Sequence, residues 1–476
     1  MLKRILYQGL ALAGVALSIS ACAPTIATKT PNRTAPATYN ESRDTTNVGD
    51  IRWKEYFTDP YLNALIDTAL ENNQELNITL QEIEISKNEI RVRKGEYLPF
   101  VNLQGGAGVE KVGRYTHQGV SDANIEYEPG KEMPEPLQDY FLGAFASWEV
   151  DIWNKLRNGK KSAMFRYLST QEGKNFMVTN LIAEIANSYY ELMALDNQLD
   201  ILKRNIEIQT NALEIVKLQK KAARVTELAV RKFEAEVLKN QSRQYSIQQM
   251  ITETENRINF LVGRFPQPIE RNSEMFIDMV PQSIYAGIPS QLLANRPDIK
   301  QAELELAAAD LDISVAKANF YPSLRITAGL GARAFSAKYL ATMPESMLYS
   351  LAGDLVAPLV NRNAIKATYY SASAKQIQAV YNYERAILRA YIEVANQLSN
   401  ISNLQNSYQF EAKQVQALTE SIDISTVLFK SARADYMEVL MTQRDALESK
   451  FELIETKKEQ MNAMVNIYQA LGGGWN

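Results

Sequence analysis

The stretch ELMALDNQLDILKRNIEIQTNALEIVKLQ, residues 191–219, closes a run that starts at Lys155 and contains no proline. Only Gly159 and Gly173 interrupt that run, both near its start. An apolar stripe recurs along it in steps of three and four: Ile185, Leu192, Leu195, Leu199, Leu202, Ile206, Leu213 and Val216, with Ser188 and Gln209 as its two polar members. A seven-residue repeat of this kind drives helices to wind round one another in a left-handed supercoil. At roughly 1.5 Å per residue, about 65 residues of helix span about 100 Å, three times the width of an ordinary domain. Periodicity alone reads as a coiled-coil scaffold, so the flanks decide what the helix is for.

The amino-terminal flank is a targeting signal. Lys3 and Arg4 precede an apolar run from Ile5 to Ile19, too short to span a bilayer permanently and suited to secretion. Ile19-Ser20-Ala21-Cys22 resembles a bacterial lipobox. In that resemblance residues 1–21 are a cleaved signal peptide, and Cys22 receives a diacylglycerol and an N-acyl chain, several chains giving stable anchoring. Ala23 in place of Asp points to the outer membrane by the enteric sorting rule. Cys22 is the single cysteine, which excludes disulfides and thiolate metal clusters. Residues 22–52, rich in Thr, Pro, Asn and Ser, read as an extended lipidated tether, with globular patterning from Trp53.

Composition narrows the function classes. The 476 residues carry 51 Lys and Arg against 55 Asp and Glu, a net charge of −4 that gives nucleic acid nothing to bind. No apolar run long enough for a transmembrane helix follows the signal, so any membrane passage falls to strands. His117 is the lone histidine and, without further His or Cys, builds neither a nucleophilic pair nor a typical zinc site. There is no phosphate-binding glycine loop, and the scattered methionines read as core filler. No enzyme, metal or cofactor is expected beyond the acyl chains on Cys22.

The body is one unit written twice. Displacing the sequence by 223 positions sets Asn72, Leu76, Ile83, Ile90, Pro99 and Gly106 on Asn295, Ile299, Leu306, Ile313, Pro322 and Gly329. Later parts match with a smaller shift: Asn154 on Asn361, Glu227 on Glu438, Leu261 on Leu471. Residues 53–262 form the first repeat, 263–288 a linker, 289–471 the second repeat and 472–476 a tail. Each repeat reads helix (about 60–96 and 289–320), strand, loop, strand, long helix, tip, helix. The strands alternate: Val101, Leu103, Ala107 and Val109 against Asn102 and Gln104, then Leu142 to Ile152 against Glu149 and Asp151. In the second half Leu324, Ile326, Ala328 and Leu330 alternate with Arg325, and Leu351, Leu355, Ala357 and Leu359 with Asp354. Apolar-out, polar-in segments of about ten residues fit a lipid-facing barrel, with Asn102, Gln104, Glu149, Asp151, Arg325 and Asp354 facing the lumen. Tyr97, Phe100, Trp148, Trp153, Phe320 and Tyr321 sit near strand ends, where an aromatic girdle would lie. A soluble half-buried sheet shows the same alternation; the lipobox tips the balance to membrane. Four strands cannot close a barrel, because an open edge in lipid leaves amides unsatisfied, so the chain must oligomerise as a dimer of eight strands or a trimer of twelve.

Specific motifs occur in order along residues 53–476: Ala64-Leu65-Ile66, Asn72-Asn73, Leu98-Pro99 and Trp148-Glu149-Val150-Asp151-Ile152-Trp153. Ile288-Pro289-Ser290-Gln291-Leu292-Leu293, Arg296-Pro297-Asp298-Ile299, Phe320-Tyr321-Pro322-Ser323, Ala357-Pro358-Leu359, Gln443-Arg444 and Ala470-Leu471-Gly472-Gly473-Gly474-Trp475 complete the set. With these the chain resembles the TolC-type outer membrane factor family, in its lipoprotein branch of efflux channels. The resemblance implies a mainly α fold with a small membrane β-barrel. A long antiparallel coiled-coil α-helical barrel would stand under four strands per chain, giving twelve strands in a homotrimer. It also implies docking through the periplasmic tips to an adaptor (membrane fusion protein) and an inner-membrane RND transporter, for passive export of drugs or other small toxic compounds.

The tip residues are then Ala223, Arg224, Val225 and Thr226 in the first turn, and Arg433, Ala434, Asp435 and Tyr436 in the second. Two departures stand out: Ala222-Ala223 and Ala432 replace the glycine usual after each long helix, and Met441 replaces a gate aspartate, with Glu438 as the remaining acid nearby. Arg444 falls on the apolar seam Leu440, Leu447, Phe451, Ile454, Met461, Val465, Tyr468, where it needs a carboxylate such as Glu438, Asp445, Asp435 or Glu227. Glu438, Met441, Arg444 and Asp445 therefore read as the periplasmic gate. Two other readings stay open: a channel for type I protein secretion, and a non-conducting structural coiled-coil lipoprotein, which has no need of a polar lumen.

Overall fold

The computed structural model describes residues 24–39, 44–280, 285–358, 362–431 and 433–475. Cys22, with the lipid expected on it, lies outside them, as do Leu359, Asn361 and Ala432. The chain is mainly helical with few strands. Its principal helices are α1 (Pro60–Asn72), α2 (Gln74–Tyr97), α3 (Lys155–Lys221), α4 (Glu227–Val262), α5 (Pro297–Ala318), α6 (Asn363–Lys430) and α7 (Tyr436–Ala470). Long strands are β1 (Phe100–Glu110), β2 (Leu137–Val150), β3 (Ser323–Ala334) and β4 (Met347–Val356). The helices α3 and α6 run 67 and 68 residues without a break. Among the described residues no helix is both long and apolar enough to cross a membrane. Two compact units divide the chain: the described part of Met1–Thr30 with Glu84–Leu168 and Leu304–Tyr381, and Pro31–Ile83 with Ser169–Glu303 and Asn382–Asn476.

The first unit holds an antiparallel sheet in the order β1-β2-β3-β4. Strand boundaries differ from a simple reading of alternation. The second strand ends at Val150, so Ile152 is not part of it, and Asp151 serves the next helix instead: its carboxylate accepts from the amides of Leu156 and Arg157 at 3.0 and 2.9 Å. An acceptor there meets the unpaired amides and positive end of α3. The fourth strand likewise ends at Val356, before Ala357 and Pro358. Phe320, expected in a girdle, is 3% exposed in a cluster with Ala316, Tyr369 and Ala372, whereas Phe100 is 65% exposed. Trp148 and Trp153 do sit at strand ends, their indoles donating to the carbonyls of Tyr97 and Pro322 at 3.1 and 2.7 Å.

Among the described residues of the second unit, two apolar clusters join its helices toward the tips. One joins Leu213 and Val216 of α3, Ala229, Val230, Phe233 and Val237 of α4, and Leu440 of α7. The other joins Leu195 and Leu202 of α3, Ile247 of α4, and Leu447 and Phe451 of α7. The helix expected over 60–96 is two helices, broken at Asn73, whose backbone is extended (φ −60°, ψ 126°). The second half breaks in the same way at Arg296, ahead of Pro297.

Described residues of the expected extended tether lie against α6. In the first unit Gln376 of α6 grips the backbone of Lys29 at both N–H and C=O (3.3 and 2.8 Å), Ser373 Oγ donates to the Ala27 carbonyl at 2.6 Å, and Ile26 packs on the Phe320–Tyr369 cluster. In the second unit the Asn32 amide donates to Glu384 at 3.0 Å and Tyr39, 3% exposed, stacks on Tyr391 at 5.4 Å. The core thus starts well before Trp53. Extended backbone held by polar side chains carries no apolar periodicity, so composition shows none of these contacts.

Candidate functional site

The face of the sheet is the first candidate surface. Directly opposed residues of antiparallel strands project to the same side. Glu149 of β2 pairs with Arg325 of β3, which pairs with Asp354 of β4, a cross-strand row of alternating charge. Lys155 extends it, its ammonium 3.1 Å from Glu149. Asn102 and Gln104 of β1 stand opposite Phe145 and Gly143 on that side. The opposite side carries the rows Val150, Leu324, Leu355 and Val101, Ala146, Ala328, Leu351. Leu103, Leu351 and Leu355 are each more than two-thirds exposed, an apolar face with nothing of the chain against it among the described residues. Of the expected lumen residues, only Asp151 falls off the strands.

The two tips are built alike. At the first, the Arg224 amide closes a six-residue turn on the Gln219 carbonyl at 2.9 Å, and the Thr226 hydroxyl caps α4 by accepting from Ala229. At the second, Arg433 closes on Leu428 at 2.9 Å and the Asp435 carboxylate caps α7 by accepting from Met437. Matching the caps sets Glu227 opposite Tyr436, not Glu438. Without glycine, Ala223 takes the left-handed conformation this turn needs, φ 55°. Val225 and Tyr436 turn inward onto the tip-proximal cluster.

The gate residues are arranged differently from the seam reading. Steps of three and four allow Leu440–Gln443–Leu447 as well as Leu440–Arg444–Leu447, and the chain takes the first: Gln443 is 5% exposed, while the Arg444 side chain is 43% exposed. The Arg444 guanidinium meets the carboxylate of its neighbour Asp445 at 3.1 Å. Glu227 is committed to Lys220 and to Arg231, the latter at 3.0 Å, and lowered in pKa chiefly by its hydrogen bond with Lys220. Met441 is 46% exposed, and Glu438 stands in the first turn of α7.

Buried polar joints escaped the sequence reading. Asn73 donates to the Leu261 carbonyl at 2.8 Å and accepts from the Leu76 amide at 2.9 Å. Arg296 donates to the Ala470 carbonyl at 3.0 Å and binds Asp298 and Glu393 at 2.6 and 2.7 Å. Burial would lower the Arg296 pKa, but the hydrogen bond and charge of Asp298, with Glu393 behind them, outweigh it and raise the pKa. Glycines close both joints: a Cβ on Gly263 would lie 2.4 Å from the Asn72 carbonyl oxygen, and one on Gly472 would lie 2.6 Å from that of Asn295. This pairing sets Leu261 against Ala470, one residue from the alignment by sequence, and it keeps the same offset as the two tips. In the linker Arg271 clamps Asp196 and Glu255, each at 2.6 Å, tying the linker to α3 and α4.

Known proteins share this arrangement. The family described as outer membrane efflux protein matches residues 65–264 and 288–473. The pyoverdine export outer membrane protein OpmQ of Pseudomonas aeruginosa is 26% identical over 470 residues, 98% of this chain and 97% of that protein. The solvent efflux pump outer membrane protein SrpC of Pseudomonas putida is 27% identical over 431 residues, 89% of this chain and 87% of that protein. In fold, the MtrE outer membrane channel of Neisseria gonorrhoeae superposes with a TM-score of 0.82 at 22% identity, covering 96% of this chain and 99% of that one. Because the match takes in both helix–strand–helix halves, the chain belongs to the outer membrane efflux protein family and is an outer membrane efflux channel subunit.

Proposed function

We propose that three copies of the chain form a passive conduit of twelve strands over a helical tube, made of two repeats per copy. The conduit completes a tripartite efflux pump with a periplasmic adaptor and an inner-membrane RND transporter, and it exports small toxic compounds. The observation that carries this reading is the sheet: four strands with one charged face, one apolar face, and two edges, β1 and β4, each paired on one side only. In hydrocarbon such edges are tolerated only when further copies pair with them. A non-conducting scaffold has no use for the Glu149–Arg325–Asp354 row. The recurrence of the tips and of the closing ends of the joints at one offset supports the two repeats.

Cys22 then carries the lipid, and bound residues 24–39 give the anchor a fixed point of attachment. Arg224 and Arg433 mark the turns offered to the adaptor. Arg444, half exposed beside Asp445, then pairs with a neighbouring copy and narrows the periplasmic end with Met441. Reconstitution in planar bilayers tests the reading: the purified assembly conducts in discrete steps, and Asp354→Lys shifts its ion selectivity toward anions. An assembled protein that does not conduct, or whose selectivity ignores Asp354, contradicts it.

A further inference from the structure

Two phenylalanines lie on the charged side of the sheet, each against a glycine of a neighbouring strand. Directly opposed residues share a side, and every second residue of a strand returns to it, so Asp139, Phe141 and Phe145 of β2 project with Glu149, Arg325 and Asp354. Gly106 of β1 stands opposite Phe141, and Gly329 of β3 stands opposite Phe145. A Cβ on Gly106 would overlap Cε1 of the Phe141 ring. One on Gly329 would lie 2.9 Å from Cδ1 and 3.0 Å from Cε1 of the Phe145 ring. Each ring is therefore folded sideways over a glycine, Phe141 toward β1 and Phe145 toward β3. Burial agrees: Gly106 is the only residue of β1 that is partly buried, and Gly329 is buried. Phe100 gives the contrast. It projects to the same side opposite Ser147 rather than a glycine, and it is 65% exposed.

The rest of that side explains why the rings matter. Asp139 and Arg333 pair at 2.6 Å toward the loop ends of the strands, and the Glu149–Arg325–Asp354 row lies toward the helices. Between these two charged levels β3 contributes only Thr327, Gly329 and Gly331, and no side chain of β1 or β4 on that side is as large as a phenylalanine. The two rings are thus the bulkiest groups midway along the sheet, and their tilt decides how far the surface stands out. A ring over glycine also covers backbone that glycine leaves bare, which by itself steadies a strand. Stability and width make different predictions, because only width depends on where the ring goes once its glycine is filled.

We propose that Phe141 and Phe145 set the width of the channel midway through the barrel, and that Gly106 and Gly329 are seats that keep their rings against the wall. This rests on the reading of the charged side as the lumen. A passing solute then meets two aromatic faces per chain between two charged levels, a surface suited to apolar compounds. Polymer exclusion in planar bilayers tests it on the full-length assembled protein: polyethylene glycols of graded size are added from the barrel side alone, and the largest that lowers conductance is read. Gly106→Ala/Gly329→Ala should shift that limit to smaller polymers, because the added methyls drive the rings inward. Gly108→Ala adds a methyl to the same side, with the Asp139 carbonyl oxygen 4.0 Å away and no ring near it, and should leave the limit unchanged. Phe141→Ala/Phe145→Ala should shift the limit to larger polymers, also when combined with the two glycine substitutions. A conducting Gly106→Ala/Gly329→Ala assembly with the wild-type limit would overturn the seats and leave the rings as cover for the strands. Where that pair does not assemble, the phenylalanine pair decides, and an unchanged limit overturns the proposal. Failure of the seats alone leaves the selectivity shift of Asp354→Lys intact, whereas failure of the conduit removes both.

Discussion

At the break between α1 and α2 a neutral amide, Asn73, holds the joint; at the break before α5 a guanidinium, Arg296, holds its counterpart. Both residues are 4% exposed, and both donate to a carbonyl in the last turn of the closing helix of their half. Asn73 serves two backbone groups and stops there. Arg296 also gathers Asp298 and Glu393, and through Glu393 it ties α6 to the joint. A joint of two helices is satisfied by an amide with one donor and one acceptor in use. A joint that must also hold a 68-residue helix uses a group that donates in several directions at once.

The largest effect should come from removing the charged joint. Arg296→Ala takes the buried guanidinium from Asp298 and the Ala470 carbonyl and leaves Glu393 with Arg389 alone, and breaking a buried pair in this way costs about 3–5 kcal/mol. Loss of assembled protein at temperatures the wild type survives should report it. Arg296→Asn, which transplants the first joint's solution, should cost nearly as much, because an amide cannot answer Asp298 and Glu393 together. If Arg296→Asn behaves like wild type, the two joints are chemically interchangeable and the contrast is wrong. The glycines come next. Gly472→Ala and Gly263→Ala require a non-glycine residue at φ 87° and 79°, roughly 1–2 kcal/mol each, with a backbone clash added. Similar losses in thermal melting are expected for both, since the clash is the same. Asn73→Ala leaves one carbonyl and one amide unpaired and should cost about 1–3 kcal/mol, clearly less than Arg296→Ala. The smallest effect is a gain: Ala223→Gly relieves a left-handed alanine at the first tip and should stabilise by about 1 kcal/mol. Hydrogen exchange slowed around residues 219–226 would register it.

The same contrast shows what a sequence discloses. The long helices were legible because an apolar heptad is a local signal repeated many times, and the strands because alternation needs only period two. The joints were not, since Asn73 and Leu261 lie 188 residues apart and nothing in either neighbourhood announces the other. The seam of α7 was misread at one step for a definite reason: three-and-four spacing admits both Gln443 and Arg444, and only packing against α3 and α4 chooses the amide. Asp151 failed similarly, as alternation continues formally past the strand end while the α3 amides claim the carboxylate. The segment 24–39 hid its contacts because polar side chains of α6 (Gln376, Ser373 and Glu384) recognise its backbone, which every sequence shares.

In the proposed assembly one chain supplies a third of a closed barrel. Native mass spectrometry of the protein released from membranes into mild detergent tests it most directly. A mass of three chains is expected, each with the acyl increment of a lipidated Cys22, and no populated monomer that retains strand content. A predominant monomer with its strands intact would mean the edges of β1 and β4 are satisfied some other way, and would contradict the account.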